Sequence, residues 1–139
     1  ISTEISAMSD REIKLCGLFL YWAEGTKAAL GVVTLSNTDP GMLKFFLKFL
    51  IINGVSKSKI YIKLQLYKDM EEEKEKKFWS EELGIQRSNF KKSYIKKSNL
   101  IDITYKNGFG HGTCSLVVYD MGLYNEIMMG IKYLRNGIY

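Results

Sequence analysis

The stretch IKLCGLFLYWAEG, residues 13–25, decides how the rest of the chain is interpreted. Only its second residue and Glu24 are charged, and its apolar side chains are too dense for a single stripe of a helix. A Ser-Asp pair just before it can cap a helix, and Gly25 can end one. We therefore predict a helix over residues 10–24 that is buried on several sides, either at the centre of the domain or against a second chain.

Glu24 is an unusual residue for the end of this helix. The C-terminal end of a helix carries partial negative charge, so a carboxylate there is disfavoured by up to ~1 kcal/mol. We expect another group to compensate for it. Lys27 follows three residues later and is a candidate for contact with phosphate.

Composition limits the class of protein. The 139 residues fit one domain, 1–139, and the start at Ile1 rather than Met is compatible with a piece of a longer protein. The net charge of +5 favours an anionic partner such as nucleic acid. The two cysteines, Cys16 and Cys114, lie in apolar stretches and are predicted to be core residues without a disulfide, as in a cytoplasmic, intracellular protein. No apolar run approaches the ~20 residues of a membrane span, so no membrane partner is expected.

The remaining pattern predicts an α+β domain. A mainly antiparallel sheet has one apolar face, which the helices cover, and one polar face. After the first helix the predicted elements are a strand (29–37), a helix (38–54), an alternating strand (59–67), a charged helix (69–85), a short helix or helix end (86–98), a hairpin (100–106 and 112–119) and a final helix (121–137).

The polar face of the predicted sheet carries groups that donate and accept hydrogen bonds. Such a face can simply be solvated, or it can read nucleic acid, because strands enter the major groove and Lys, Gln, Ser and Thr suit phosphates and base edges. The candidate DNA contacts on it are Thr34, Ser36, Tyr61, Lys63, Gln65, Tyr67, Thr113 and Ser115.

A basic stretch without acids, RSNFKKSYIKK, covers residues 87–97. At helical spacing Phe90 and Tyr94 would pin it to the core while its cations face outward. Five phosphate contacts would give a log–log salt slope of roughly −4 to −5. The candidate contacts are Arg87, Lys91, Lys92, Lys96 and Lys97.

The first helix also carries a resemblance. GLFLYWAEG, residues 17–25, resembles the LAGLIDADG motif of homing endonucleases in the variant whose acid is Glu. VVTLSNTDPGMLKFFLKFL, residues 32–50, is similar to the strand, cap and amphipathic helix that follow that motif. The resemblance implies an αββαββα-type fold, with helices packed on one face of an antiparallel sheet. It also implies a homodimer joined through helix 10–24, with double-stranded DNA on the sheet.

The resemblance implies specific roles as well. Glu24 of each chain would bind Mg²⁺ or another divalent metal and take part in DNA cleavage. Lys63 would contact phosphate or assist at the scissile group, and Gln65 would position water or a base. His111, in a Gly-rich turn, is predicted to be a loop tip or a DNA contact rather than a catalytic base.

Two other functions stay open at this point. Phe19 and Trp22 are bulky where the motif usually has a small residue and a smaller or acidic one, so a catalytically inactive DNA-binding or regulatory module with the same fold is an alternative. A polar sheet face can also bind a small ligand or a protein instead of DNA.

Overall fold

The first helix, α1, spans Asp10–Glu24 in the computed structural model, which describes residues 8–102 and 110–137. Its start is a capping box in which Ser9 and Glu12 bond reciprocally, and these bonds lower the pKa of Glu12. Only one line of α1 is buried within the chain, formed by Ile13, Gly17 and Tyr21. A place at the centre of the domain is therefore wrong for α1.

The described elements follow one another in the order αβαβαββα. This order confirms the α+β class but differs from the αββαββα order, because a single strand separates the first two helices. After α1 come β1 (Val32–Asn37), α2 (Pro40–Ile52), β2 (Tyr61–Leu66), α3 (Glu72–Leu83), β3 (Tyr94–Ile95), β4 (Thr113–Tyr119) and α4 (Met121–Arg135). Short 3₁₀ turns cover Lys57–Lys59, Arg87–Asn89 and Leu100–Asp102.

The four strands form a mixed sheet in the order β1-β4-β2-β3. β4 is antiparallel to both of its neighbours, β1 and β2, whereas β3 runs parallel to β2. The expectation of an antiparallel sheet is therefore met by three strands and corrected by the fourth. The parallel pair is short, since β3 has two residues.

The prediction of a short helix or helix end over residues 86–98 is wrong. A 3₁₀ turn and β3 occupy this segment, which bonds along the outer side of β2. Phe90 packs against the core as expected, but Tyr94 is exposed and does not pin the segment. The first hairpin strand is also corrected in part, because Leu100–Asp102 is a 3₁₀ turn. The rest of that strand and most of the turn lie outside the described residues.

Alternate strand positions build the core on one side of the sheet. The helices cover this side, since their buried residues join the inward strand residues in one cluster. Cys114 belongs to it, as predicted, but Cys16 is exposed, which corrects its assignment to the core. The inward strand residues are Val33, Leu35, Ile62, Leu64, Leu66, Cys114, Leu116 and Val118.

In the described part of the chain, none of the helices is long and apolar enough to cross a lipid bilayer.

Candidate nucleic-acid interface

The side of the sheet away from the helices, here called the open face, is built by the alternation of β1, β4 and β2. In the register, Ser115 of β4 lies opposite Ser36 on one side and Lys63 on the other. The two serine hydroxyls are hydrogen-bonded at 2.5 Å, which fixes the middle of this row. Lys63 and Gln65 are exposed. The predicted polar face therefore exists, and its residues are brought together as the alternation requires. The predicted residues on it are Thr34, Ser36, Tyr61, Lys63, Gln65, Thr113 and Ser115, with Tyr67 just past the end of β2, and Val32, Val117 and Tyr119 face the same side.

The segment that was predicted to be a helix extends the open face. Phe90 lies beside Ile62, and Tyr94 lies beside Gln65. Four steps along the segment therefore match three steps along β2, so one extra residue is accommodated, as in a β-bulge. The side chains before and after this irregularity keep their alternation, and Tyr94 shares the open face with Gln65.

Two lysines of this segment contact tyrosines of the open face. The ammonium of Lys91 lies 4.5 Å from the ring centre of Tyr119 and 5.2 Å from that of Tyr61, and it donates to the Tyr119 hydroxyl at 2.6 Å. The ammonium of Lys96 lies 4.4 Å from the ring centre of Tyr67. These cation–π contacts hold both charges over the sheet.

The other cations of the segment are placed differently. Arg87 pairs with Glu73 of α3 at 2.5 Å, away from the open face. Lys92 and Lys97 are exposed. The five cations that the sequence grouped together are therefore divided, and Lys91 and Lys96 are the two that join Lys63.

The backbone carries the two lysines of the segment at a fixed separation. The Lys91 amide donates to Ile62 O at 2.8 Å, and the Lys96 amide donates to Leu66 O at 2.7 Å. The accepting carbonyls are four residues apart on β2, which corresponds to about 13 Å of strand. These backbone bonds thus hold Lys91 and Lys96 along the outer side of β2.

The open face carries positive charge without nearby carboxylates on the strands. Among the strand positions that the structure describes, none that faces this side is acidic. A phosphate chain lying over these strands would meet lysines, tyrosines and hydroxyls rather than like charge.

Lys27 provides the compensation that the end of α1 requires. Its ammonium donates to Gly25 O at 2.7 Å and to Trp22 O at 3.0 Å, so it satisfies carbonyls at the end of the helix. A positive charge at this position offsets the helix dipole. The sequence could have predicted this role of Lys27, since a lysine soon after a helix end commonly donates to the last carbonyls of the helix.

Glu24 lies at the edge of the open face. The next residue, Gly25, pairs with Leu35 in an antiparallel bridge, and the Thr26 amide donates to Thr34 O at 2.9 Å. This register places the Glu24 backbone beside Ser36 on the outer side of β1. The Glu24 side chain is exposed, and in residues 8–102 and 110–137 it has no hydrogen bond or ion pair.

Tyr21 connects the end of α1 to β1. Its hydroxyl donates to Thr26 O at 2.5 Å and accepts from the Thr34 amide at 3.1 Å. Burial raises the pKa of Tyr21, which keeps the hydroxyl neutral and able to donate. The position of Glu24 relative to the sheet is therefore set by a buried side chain three residues earlier.

His111 lies apart from the open face. Its Nδ1 is 2.7 Å from Glu75 Oε2, and its ring stacks on Phe78 with ring centres 3.6 Å apart. The Trp79 indole donates to the carbonyl of His111 at 2.8 Å. These contacts face α3, so the structure groups His111 with a buried carboxylate that sequence reasoning missed. Glu75 lies within a run of charges that reads as a solvated surface.

Metal ligands are sparse within one chain. No group of three or more His, Cys, Asp or Glu side chains that could hold a metal occurs in the described part of the chain. Carboxylate and carbonyl oxygens suit Mg²⁺, but the carbonyls next to Glu24 already hold the Lys27 ammonium. Among the described residues, the end of α1 thus offers one carboxylate, that of Glu24.

Part of α1 remains uncovered within the chain. Leu15 is 38% exposed and Phe19 is 52% exposed, and Cys16 beside them is exposed as well. Trp22 is half-buried and lies under the guanidinium of Arg135. The exposed surface of α1 therefore includes an apolar part at Leu15, Cys16 and Phe19, beside the charged residues of its first turns, on the helix that carries Glu24.

Comparison of the chain with models of protein families, with curated proteins and with solved structures found no match.

Proposed function

We propose that this chain binds double-stranded DNA across the open face of its sheet. The observation that carries the proposal is the grouping of Lys63, Lys91 and Lys96 with three tyrosines on one face whose described strand positions include no acid. Lysines of this kind contact phosphates, while Gln65 and the hydroxyl-bearing residues suit base edges.

The spacing of the charges agrees with this use. About 13 Å separate the points where Lys91 and Lys96 join β2, and successive phosphates of one DNA strand rise by about 3.4 Å along the axis. The two ammonium groups can therefore contact different phosphates of the same strand. Lys63, one strand further in, can reach toward the groove or the opposite strand.

A salt series measures the proposed contacts. Three phosphate contacts contribute about −2.7 to the slope of log K against log salt concentration. We expect the triple variant Lys63→Gln, Lys91→Gln, Lys96→Gln to bind a random-sequence duplex more weakly, with a slope flatter by about that amount, in fluorescence anisotropy.

The matched control removes the same charge elsewhere. Lys48, Lys74 and Lys77 are exposed on α2 and α3, and their triple change to Gln gives the same net charge. If both triple variants lose the same affinity, binding follows net charge and the proposed face is wrong. Absence of binding by the unchanged chain at low salt would remove the DNA function and favour a small-ligand or protein-binding role.

We propose, as a second candidate, that two copies cleave the bound DNA with the help of a divalent metal. The specific observation is Glu24, an exposed carboxylate at the edge of the open face on a helix whose apolar side is uncovered. Pairing of two α1 helices would bury that side and bring two carboxylates toward each other. Mg²⁺ held by them would offset their repulsion and supply Lewis-acid stabilisation of phosphate charge.

Three further side chains of each copy would support DNA binding and cleavage. Lys63 lies two strands across the sheet from Ser36, about 10 Å away, and would hold a phosphate between the Glu24 edge and the β3 edge of the sheet. Gln65 would orient water or a base in the next row. Lys27 would keep the helix end neutralised while the DNA is bound.

Cleavage is tested with a plasmid library in Mg²⁺. We expect the unchanged chain to linearise plasmids and Glu24→Gln to bind duplex equally well without cutting. If the unchanged chain binds but never cuts, the chain is a DNA-binding module without nuclease activity. Analytical ultracentrifugation of Phe19→Asp reports on the pairing, since a charge on the uncovered side of α1 should favour single chains.

A further inference from the structure

A cleft of about 390 Å³ opens at the end of the sheet where β2 begins and β4 ends. Two tyrosines that also belong to the open face, Tyr61 and Tyr119, form one side of it, with ring centres 5.9 Å apart. The loop after α2 forms the other side and contributes Ser56 and Lys59. The cleft is thus continuous with the open face. None of the three lysines proposed to contact phosphate lines it, but the Lys91 ammonium lies over both of its tyrosine rings.

The polar groups at the cleft carry charges of both signs. Lys59 supplies a positive charge on one side, and the Lys91 ammonium supplies another beside the tyrosine pair. Asp120 supplies a carboxylate that is held in place, because one of its oxygens accepts from the Leu123 amide at 2.9 Å as the cap of α4. Aromatic walls, a fixed acceptor and flanking cations therefore meet in one cleft.

We propose that this cleft binds a single nucleotide, with the base against the tyrosines and the phosphate near Lys59. A carboxylate acceptor selects bases with an exocyclic amine, which donates to it, as in adenine or cytosine. Stacking on aromatic side chains is the usual way that proteins hold unstacked bases. The volume is within the range of small-molecule sites and exceeds what a lone phosphate needs.

Two sources supply this chemistry, a free nucleotide or an unstacked nucleotide of a bound DNA strand. The second source rests on the proposed DNA function, whereas the first does not. Unpaired or mismatched bases cost the least to unstack, so they are the favoured strand positions.

The first experiment uses free nucleotides and amide NMR. We expect AMP and CMP to shift the amides of Ser56, Tyr119 and Asp120 saturably, and ribose 5-phosphate to shift them far less. Equal shifts with ribose 5-phosphate would reduce the cleft to an anion contact and overturn the base site. No saturable shift with either nucleotide would overturn the proposal altogether.

Two variants and a control locate the binding. Ser56→Trp fills the cleft and should weaken AMP binding at least about fivefold, whereas Ser58→Trp, two residues away and outside the cleft, should not. Asp120→Asn keeps a good helix cap and should lower affinity for AMP and CMP severalfold. Equal loss in Ser56→Trp and Ser58→Trp would place the nucleotide elsewhere.

The second experiment identifies the source. A duplex with one unpaired 2-aminopurine should brighten on binding the unchanged chain and not on binding Ser56→Trp. Brightening supports a nucleotide of the DNA strand. If AMP binds but the duplex binds without brightening, the ligand is a free nucleotide. If AMP binds and the duplex does not bind at all, the DNA function is lost while the nucleotide cleft stands.

Discussion

Changing Gly17 to alanine tests how closely α1 and α2 pack. A Cβ at Gly17 would lie 2.0 Å from Phe49 Cδ2 and 2.4 Å from Phe49 Cγ, both far inside van der Waals contact. The Phe49 ring is 2% exposed and stacks on Phe46 with ring centres 5.3 Å apart. Because the ring has no free space to move into, the new methyl group must push the two helices apart.

The cost is the difference between two effects. Inserting a methyl group into a filled core costs about 1–3 kcal/mol, and replacing a helical glycine with alanine returns up to about 1 kcal/mol. The required movement is large for one methyl group, so the upper part of the range applies. We expect a net loss of about 1–2 kcal/mol, equivalent to a fall in Tm of about 3–7 °C for a domain of this size.

Urea unfolding followed by tryptophan fluorescence measures the loss. The matched control is Gly130→Ala in α4, where the nearest atom to a new Cβ is Leu18 Cδ1 at 2.9 Å, the flexible end of a side chain. We expect that variant to change stability by less than about 0.5 kcal/mol. Gly17→Ala with the stability of the unchanged chain, or equal loss in both variants, would refute the close contact of α1 with α2.

Further predictions concern the buried groups of Tyr21, Cys114 and Glu75. Tyr21→Phe should cost about 1–3 kcal/mol, because it leaves the Thr34 amide and Thr26 O without their partner. Burial raises the pKa of Tyr21 above the ordinary 10.0, so its contribution is complete below pH 10.0 and is lost as the pH rises further. The unfolding free energy of Tyr21→Phe should therefore fall less steeply above that pH than that of the unchanged chain, and equal steepness would contradict the assignment. Burial also raises the pKa of the Cys114 thiol, so iodoacetamide should label Cys16 alone in the folded protein, and mass spectrometry should find one adduct rather than two. His111→Ala should cost about 1–3 kcal/mol in denaturant unfolding, because it leaves the buried Glu75 carboxylate without its partner, and no loss would show that the pair does not contribute.

Local sequence patterns predicted those features that depend on residues close by in the sequence. The alternation in β2 was confirmed residue by residue, and the cap predicted just before α1 is formed by Ser9. These features depend on neighbours a few residues away. The grouping of Ser36, Ser115 and Lys63 followed from period two once the strands were adjacent.

The failures have a common physical cause, which is contact between distant segments. Phe90 and Tyr94 are four apart, as on one face of a helix, but the outer side of β2 offered hydrogen bonds that made the segment extended. The pair formed by Glu75 and His111 joins residues 36 apart, so no local period marks it. Cys16 was wrongly predicted to be buried, because an apolar helix sequence does not show how much of the helix surface the same chain covers.

The bridge between Gly25 and Leu35 has a consequence for how the sheet ends. The residues after α1 occupy the outer hydrogen-bonding side of β1, which would otherwise accept a strand from another molecule. At the opposite margin, β3 is two residues long and has lysines on both sides of it. Short, covered and charged margins are how natural sheets prevent the addition of foreign strands and hence aggregation. The sheet can therefore leave its broad polar surface open while its two sides stay closed to growth.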